Sequence, residues 1–261
     1  MNFIVCIKQV PATTDVKIDS NTNTLKREGV ESIINPFDEY AIEEAVRLKE
    51  RTGGKVTVIT MGPPQAENAL REALSRGCDE GILVSDRAFA GADTLATSYT
   101  LAQTIRKIGE FDVIICGKQA SDGDTAQVGP GVAEKLNIPH IAYVGKVEDI
   151  KPGTMKVQRM MEDGHDIFDV SLPALITVVK EINNPRLPSL KGMIFSKKAV
   201  IKKWTAADIS ADADKIGLSG SPTQVMKIFY PPARQGGEKL TGEPQDQAAA
   251  LVSKMKELKL I

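Results

Sequence analysis

Residues 112–131 read DVIICGKQASDGDTAQVGPG. The first part is an apolar, β-branched run of strand length that ends at Gly117, and the rest is polar, glycine-bearing and opens into a helical pattern. A strand that empties through a polar loop into a helix is the repeating unit of a parallel sheet covered by helices. The unit recurs: NFIVCIK (2–8), KVTVITMG (55–62) and GILV (81–84) are further apolar runs with helical patterns between them. Asn35-Pro36 offers a capping side chain followed by proline at the first helical position, after which Phe37, Ala41, Ala45 and Leu48 recur on one face. A second helix begins around Pro63-Pro64 and stops at Gly77, a third runs from about Asp93 to Ile108 and a fourth from about Asp124 to Leu136. Strands that are apolar throughout, instead of alternating, belong to a sheet covered on both faces. The expectation is an α/β, doubly wound, mostly parallel sheet over about residues 1–145.

Past that point the pattern changes. IAYVGKVEDI, MKVQRMM, HDIFDVSL and ALITVVK, within 139–180, are successive β-segments split by Pro152-Gly153 and Asp163-Gly164. An Asp-Gly pair between β-segments is a hairpin signal, so an antiparallel portion is expected to extend the core from about residue 139. From Asn183 onward periodicity fades. Residues 183–203 hold six basic side chains (Arg186, Lys191, Lys197, Lys198, Lys202, Lys203) and no acid, and a last helix runs from about Pro244 to Leu258. A long stretch without its own core is unusual in a compact domain. The division expected is an α/β domain over 1–182, a partner-recognition loop and basic segment over 183–203, and an arm over 204–261 that wraps something else.

Composition narrows the function. The chain has 261 residues, 42% hydrophobic and 26% charged, with a formal net charge of -1, which gives no overall electrostatic case for nucleic acid or membrane insertion. Aromatics are only 5%, too few for base-stacking platforms. Cys6, Cys78 and Cys116 lie far apart and the two histidines, His140 and His165, form no metal-ligand spacing with them, so no metal site is expected. Unpaired cysteines in apolar runs fit a reducing cytoplasm, and MNFIVCIKQV lacks the marks of an export peptide and reads as a first strand. No Ser/His/Asp triad and no paired-acid site emerges, so no catalytic side chain is assigned and the chain reads as one that binds rather than cleaves.

A doubly wound sheet binds ligands outside the carboxyl ends of its strands, near a switch in strand order. The opening stretch supplies one such end. Asp124 stands at an N-cap position with Thr125, Ala126 and Gln127 in the first turn, and free N–H groups there attract phosphate. Lys118, Gln119, Ser121, Thr125 and Gln127 offer hydrogen bonds to phosphate or sugar hydroxyls, while Asp122 and Asp124 and the missing GK[ST] ending exclude a P-loop. An ordinary βα loop with a good cap stands beside the ligand reading. GADTLATSYTLA (91–102) repeats the logic, with Asp93 or Thr94 capping a helix whose first turns carry Thr97 and Ser98. In 183–203 the bare apolar residues of LPSL and MIF among the charges suit a protein docking site.

The chain resembles the β (small) subunit of electron-transferring flavoproteins over nearly its whole length. The resemblance is carried by VCIKQVP with VKID, INPFDEYAIEEAVRLKE, GPPQAENALREALSRGCDEGILV, CGKQASDGDTAQVGP, VQRMMEDGHDIFDVSLPALITV and NNPRLPSLKGMIFSKKA. Asp166 and Phe168 depart conservatively from the family signature, which more usually has Glu and an aliphatic residue there. The resemblance implies a Rossmann-like, adenine-nucleotide α-hydrolase-like fold, a heterodimer with a larger α subunit, and a nucleotide pocket at Cys6, Asn35, Pro36, Phe37, Asp38, Met61 and Gly117, Lys118, Gln119, Ala120, Ser121, Asp122, Gly123, Asp124, Thr125, Ala126, Gln127 and Val128. It implies a dehydrogenase-recognition loop at Pro188, Ser189, Leu190, Lys191, Gly192, Met193, Ile194 and Phe195, extending to Ser196, with Leu190 as apolar anchor. Two branches are open: AMP as a structural ligand in a simple electron carrier, or FAD in a bifurcating protein that takes hydride from NADH and divides the electrons between ferredoxin and the α-subunit FAD. GADTLATS and DGDTAQVGP resemble the FAD branch, where Asp93, Thr94 and Thr97 supply further polar groups for the diphosphate and ribitol. The implied downstream partner is an acyl-CoA dehydrogenase-like or lactate dehydrogenase-like enzyme. A non-redox nucleotide-binding module is the alternative from another class.

Overall fold

The computed structural model describes residues 1–12, 32–226 and 236–261, together with the backbone of 18–19 and 24–25. In chain order the elements are β1 (Asn2–Cys6), β2 (Gln9–Pro11), β3 (Ile18–Asp19), β4 (Thr24–Leu25), β5 (Ser32–Ile34), α1 (Pro36–Thr52), β6 (Lys55–Met61), α2 (Glu67–Ser75), β7 (Glu80–Val84), α3 (Thr94–Ile108), β8 (Val113–Gly117), α4 (Val128–Leu136), β9 (His140–Lys151), β10 (Thr154–Met160), β11 (His165–Ser171), β12 (Ala174–Val178), α5 (Leu190–Lys198), β13 (Lys202–Trp204) and α6 (Pro244–Glu257).

Nine strands form one sheet in the order β11-β10-β9-β12-β8-β1-β6-β7-β13. From β12 through β13 all pairings are parallel. The apolar runs predict this, because such strands need cover on both faces. One face packs Ala41, Ile42, Ala45 and Leu48 of α1 and Leu70 and Leu74 of α2 onto Val5, Val58 and Ile115. The other packs Leu101 and Ile105 of α3 and Val132 and Ala133 of α4 onto Ile4, Ile59 and Ile114. Each fully buried branched side chain contributes about 1.5–3 kcal/mol, which offsets the backbone ordering of the sheet. β1 has β8 on one side and β6 on the other, so the order reverses at β1. That switch point fixes where a ligand crevice forms.

The structure alters two expectations about organisation. The segment ALITVVK does not join the antiparallel part; β12 inserts between β8 and β9 and runs parallel to both. Only β9, β10 and β11 form the antiparallel extension, with turns at Pro152-Gly153 and Asp163-Gly164. Nor does the compact unit end at residue 182: it runs Met1–Met226. Residues 202–204 add a parallel edge strand to β7, and α5 packs on α2, where the Arg71 guanidinium donates to the Ser196 carbonyl at 2.6 Å. A three-residue strand and a single helix borrow the core of the main sheet, so they carry too little periodicity of their own to be seen in sequence. Lys227–Ile261 forms a separate unit, and α6 within it buries none of its residues. No helix among the described residues is long and apolar enough to cross a membrane.

Candidate functional site at the carboxyl ends of β1, β6 and β8

Around the switch point the strand ends bring together residues far apart in the chain. Cys6 ends β1 and Cys116 is its register partner on β8, both buried on the face of α3 and α4. The Cys116 thiol is held well above its usual range by the neighbouring Cys6 thiol and by burial, which suits a core residue rather than a nucleophile. Met61, half-buried, ends β6.

Asn35 and Asp38 tie this rim together. Asn35 precedes α1, yet its side chain does not cap the helix, as its sequence position predicts. Instead the buried amide turns to the opening loop, where Nδ2 donates to the Gln119 carbonyl at 2.8 Å and Oδ1 accepts from the Ser121 N–H at 3.0 Å. Asp38, in the first turn of α1, accepts the Lys8 N–H at 2.7 Å. Gly117 passes so close that a Cβ there would lie 2.4 Å from Asp38 Oδ1 and 2.6 Å from the Phe37 carbonyl carbon, which is why the strand ends in glycine. Burial pushes the Asp38 carboxyl up to about 7, although bonds from the Lys8 N–H, the Asn35 amide and the Gly117 N–H pull the other way.

The loop itself differs from the sequence expectation. Helix α4 starts at Val128 and its N-cap position is Gln127, not Asp124. Asp124 and Ala126 both have φ of 53°, and left-handed residues cannot open a right-handed helix. Asp124 instead accepts from the Gln119 side chain and closes a turn through its N–H to the Ala120 carbonyl at 2.8 Å. Ser121 to Thr125 are exposed with Gln127, while Ala126 and Val128 are half-buried. Gly123 has open space around it.

Two helix N-termini meet beside this loop. Asp93 caps α3 as expected, accepting from the Leu95 and Ala96 N–H groups at 2.9 and 3.1 Å. Its second oxygen holds Thr223 through N–H and Oγ1 at 3.1 and 2.8 Å, so the carboxylate is committed within the protein. Burial is the largest single influence and would raise it, but the donors of Ala96, Thr223 and Leu95 together outweigh it and hold it below its ordinary value. Thr94 Oγ1 donates to Gln127 Oε1 at 2.9 Å, joining the starts of α3 and α4. The close approach needs Gly131, where a Cβ would lie 2.5 Å from Ser98 Oγ. Thr97 is half-buried one turn into α3. The N–H groups at the start of α4, the glycine-lined approach and the hydroxyls of Thr94 and Thr97 suit a phosphorylated ligand, and Pro36 and Phe37 stand at the start of α1.

Two residues outside the predicted set belong to the same rim. The Lys8 ammonium lies 2.6 Å from Asp122 Oδ1. Tyr143 has φ of 61°, rare for a bulky side chain, and its ring sits 5.2 Å from the Lys118 ammonium, which also lies 5.9 Å from the Phe37 ring. A polar residue directly after a strand signals Lys8 in sequence; nothing local signals Tyr143. Clefts elsewhere include one of about 300 Å³ at the amino ends of the strands beside Lys55, Glu80 and Trp204, and one of about 400 Å³ between α2 and residues 186–195. Neither lies at the carboxyl ends of the strands where the order switches, so the rim is the candidate site.

The expected recognition loop is the start of a helix. Ser189 caps α5 by accepting the Gly192 N–H at 3.0 Å, and Pro188 precedes it. Leu187 and Leu190 are 85% and 72% exposed, beside Met193, Ile194 and Phe195, with Lys191 on the same exposed stretch. Arg186 fixes the approach to α5, binding Glu43 Oε2 at 2.8 Å and Glu50 Oε1 at 2.6 Å on α1. Burial would raise Glu43, but Arg186 and Arg47 outweigh it and hold the carboxyl below its ordinary value.

Residues 22–209 match the electron transfer flavoprotein domain. The chain is 52% identical over 257 residues to an electron transfer flavoprotein subunit beta of Thermoanaerobacterium thermosaccharolyticum, covering 98% of each chain. It is 50% identical over 265 residues to the caffeyl-CoA reductase-Etf complex subunit CarD of Acetobacterium woodii, covering 100% of each. It is also 45% identical to protein FixA of Bradyrhizobium diazoefficiens, over 97% of this chain and 90% of that one. With the family come an α-subunit partner, a flavin or AMP cofactor and a role in electron transfer. The chain belongs to the electron transfer flavoprotein family as a β subunit.

Proposed function

We propose that the switch-point rim holds FAD and that the chain works as the β subunit of a cytoplasmic, bifurcating electron transfer flavoprotein. The observation that carries this reading is the bond between Thr94 and Gln127, which sets two helix N-termini side by side. One N-terminus suffices for the single phosphate of AMP; that of α4, with the hydroxyls of Thr94 and Thr97 at the start of α3 beside it, suits a diphosphate and ribitol. When bound, FAD supplies hydride acceptance from NADH and release of electrons towards ferredoxin and the α-subunit flavin. The chain's part is to bind and orient. The N–H groups at the start of α4 and those of the loop that no protein acceptor takes meet the phosphates, with the hydroxyls of Thr94 and Thr97 beside them, while Asn35 and Asp38 hold the loops in register. No side chain of this chain has to move a proton. An open rim needs a further wall, which the α subunit would supply.

In the same reading Leu190 and its apolar neighbours dock an acyl-CoA dehydrogenase-like or lactate dehydrogenase-like enzyme, and the unit containing α6 embraces the α subunit. The bare leucines at the start of α5 support the first part, and the absence of buried residues in α6 supports the second. Denaturing the purified αβ complex and counting released nucleotides tests the cofactor. Two FAD per heterodimer are expected; one FAD and one AMP would replace this reading with that of a simple one-flavin carrier. NADH is expected to bleach flavin absorbance in the complex, and no bleaching would sink the bifurcating role.

A further inference from the structure

The two lysines that follow strands at the switch point are held in different ways. Lys118 turns its ammonium onto the rings of Phe37 and Tyr143. Lys8 reaches across the rim into the loop after β8, where its Nζ lies 2.6 and 2.9 Å from the two oxygens of Asp122. The stem of Lys8 is fixed, since its N–H donates to Asp38 Oδ2 at 2.7 Å and its carbonyl accepts the Asn35 N–H at 2.8 Å. The tip is not: the side chains of Lys8 and Asp122 are 49% and 33% exposed. An ion pair this exposed adds little to stability, so the fold gives no reason of its own for placing it over the crevice.

Charge gives a reason. The loop carries two carboxylates, and either would repel an anionic ligand. Asp124 is engaged by the Gln119 amide, which leaves Asp122 as the charge that Lys8 offsets. An ammonium has three N–H groups and can bridge two anions. A phosphate monoester, whose charge of about −1.5 to −2 is shared by its oxygens, is a stronger partner for it than a carboxylate. Resting on the nucleotide reading of this rim, we propose that Lys8 is the side chain that recognises the ligand phosphate. In that arrangement Asp122 is the internal carboxylate that holds Lys8 in position and competes with the phosphate for it. The pair then makes the site select phosphorylated nucleotides over nucleosides.

The test uses the αβ complex freed of resident nucleotide and titrated calorimetrically with AMP and with neutral adenosine. Lys8→Gln is expected to weaken AMP about ten-fold or more, the scale of a hydrogen bond to a charged group, and to leave adenosine within about two-fold. Lys8→Arg, which keeps the charge, is expected to retain most AMP affinity. Asp122→Asn is expected to strengthen AMP by about two- to five-fold, the worth of an exposed ion pair, with adenosine unmoved. Equal losses for AMP and adenosine in Lys8→Gln would show a merely structural lysine, and weaker AMP binding by Asp122→Asn would make Asp122 a direct ligand; either overturns the inference while the nucleotide site stands. A parent complex that takes up none of AMP, adenosine and FAD overturns the nucleotide reading itself, before any variant is compared.

Discussion

Asn35 grips the loop after β8 with both ends of its side-chain amide, donating to the Gln119 carbonyl at 2.8 Å and accepting from the Ser121 N–H at 3.0 Å. The two residues it holds lie more than eighty positions away. It thereby joins the start of α1 to the wall of the crevice, with its own N–H tied to the Lys8 carbonyl at 2.8 Å. Asn35→Ala removes the partner of the Gln119 carbonyl and the Ser121 N–H in two part-buried hydrogen bonds, worth about 0.5–1.5 kcal/mol each. The expected outcome is a drop of about 1–3 kcal/mol in unfolding free energy together with loss of bound nucleotide, measured by urea denaturation and nucleotide content. Retained nucleotide in the purified variant would contradict this account of the loop.

Gly117→Ala should be harsher in effect than its size suggests. The new methyl would stand 2.8 Å from the Asp38 nitrogen as well as against its carboxylate and the Phe37 backbone. Backbone cannot give way as a flexible side chain does, so a cost of about 1–3 kcal/mol or more is expected. Chemical denaturation reads the cost, and a shift below about 0.5 kcal/mol, the scatter of neutral surface changes, would contradict the close packing.

Asp38 makes a pH signature. Its carboxyl is raised by burial to about 7 from an ordinary 3.8, so the folded state binds the proton more tightly than the unfolded state does. Between those two values the folded chain holds more protons, and this group's contribution to stability falls as pH rises. Asp38→Asn mimics the protonated form and removes that fall. The melting temperature of the variant minus that of the parent is therefore expected to increase from about pH 4 to about pH 7 and then level off. Carboxylates lowered by their partners, such as Glu43 and Glu67, act in the opposite direction but cancel in the difference. A flat difference curve would show that Asp38 titrates normally.

Arg186 anchors the approach to α5 through Glu43 and Glu50. The Glu43 side chain is only 4% exposed, while Arg186 is 35% exposed. Removing one partner of a buried pair costs about 3–5 kcal/mol; solvent around Arg186 and the remaining Arg47 bond reduce this. Arg186→Ala is expected to cost about 1–3 kcal/mol and to speed hydrogen exchange in α5 more than in β1. Equal exchange in both would mean the clamp does not fix α5.

Leu190 separates docking from folding. At 72% exposure its truncation to alanine should shift stability by less than about 0.5 kcal/mol. If α5 docks the dehydrogenase-like partner, as proposed, the same change should weaken that complex about ten-fold or more, as an anchor residue does. Surface plasmon resonance with the partner enzyme measures it, and unchanged affinity would remove Leu190 from the interface.

What the sequence determined by itself was the layered core and the family. Uninterrupted apolar strands such as Val113–Cys116 alternate with helices whose faces repeat, and that pattern is local, so it survives in one dimension. Asp93 is also legible, because a cap acts on N–H groups two and three residues away. Tertiary structure decided whatever depends on partners distant in sequence. Asn35 looks like a cap and is instead a clasp on residues 119–121, since a buried amide goes where unpaired backbone groups are. Asp124 looks like a cap and is instead left-handed, because the clasp and the Gln119 side chain bend the loop before α4 can begin. β12 reads as one more hairpin strand, yet the slot between β8 and β9 takes it. The Lys8–Asp122 pair, whose members are 114 positions apart in sequence, exists only because β1 and β8 are neighbours at the switch in strand order.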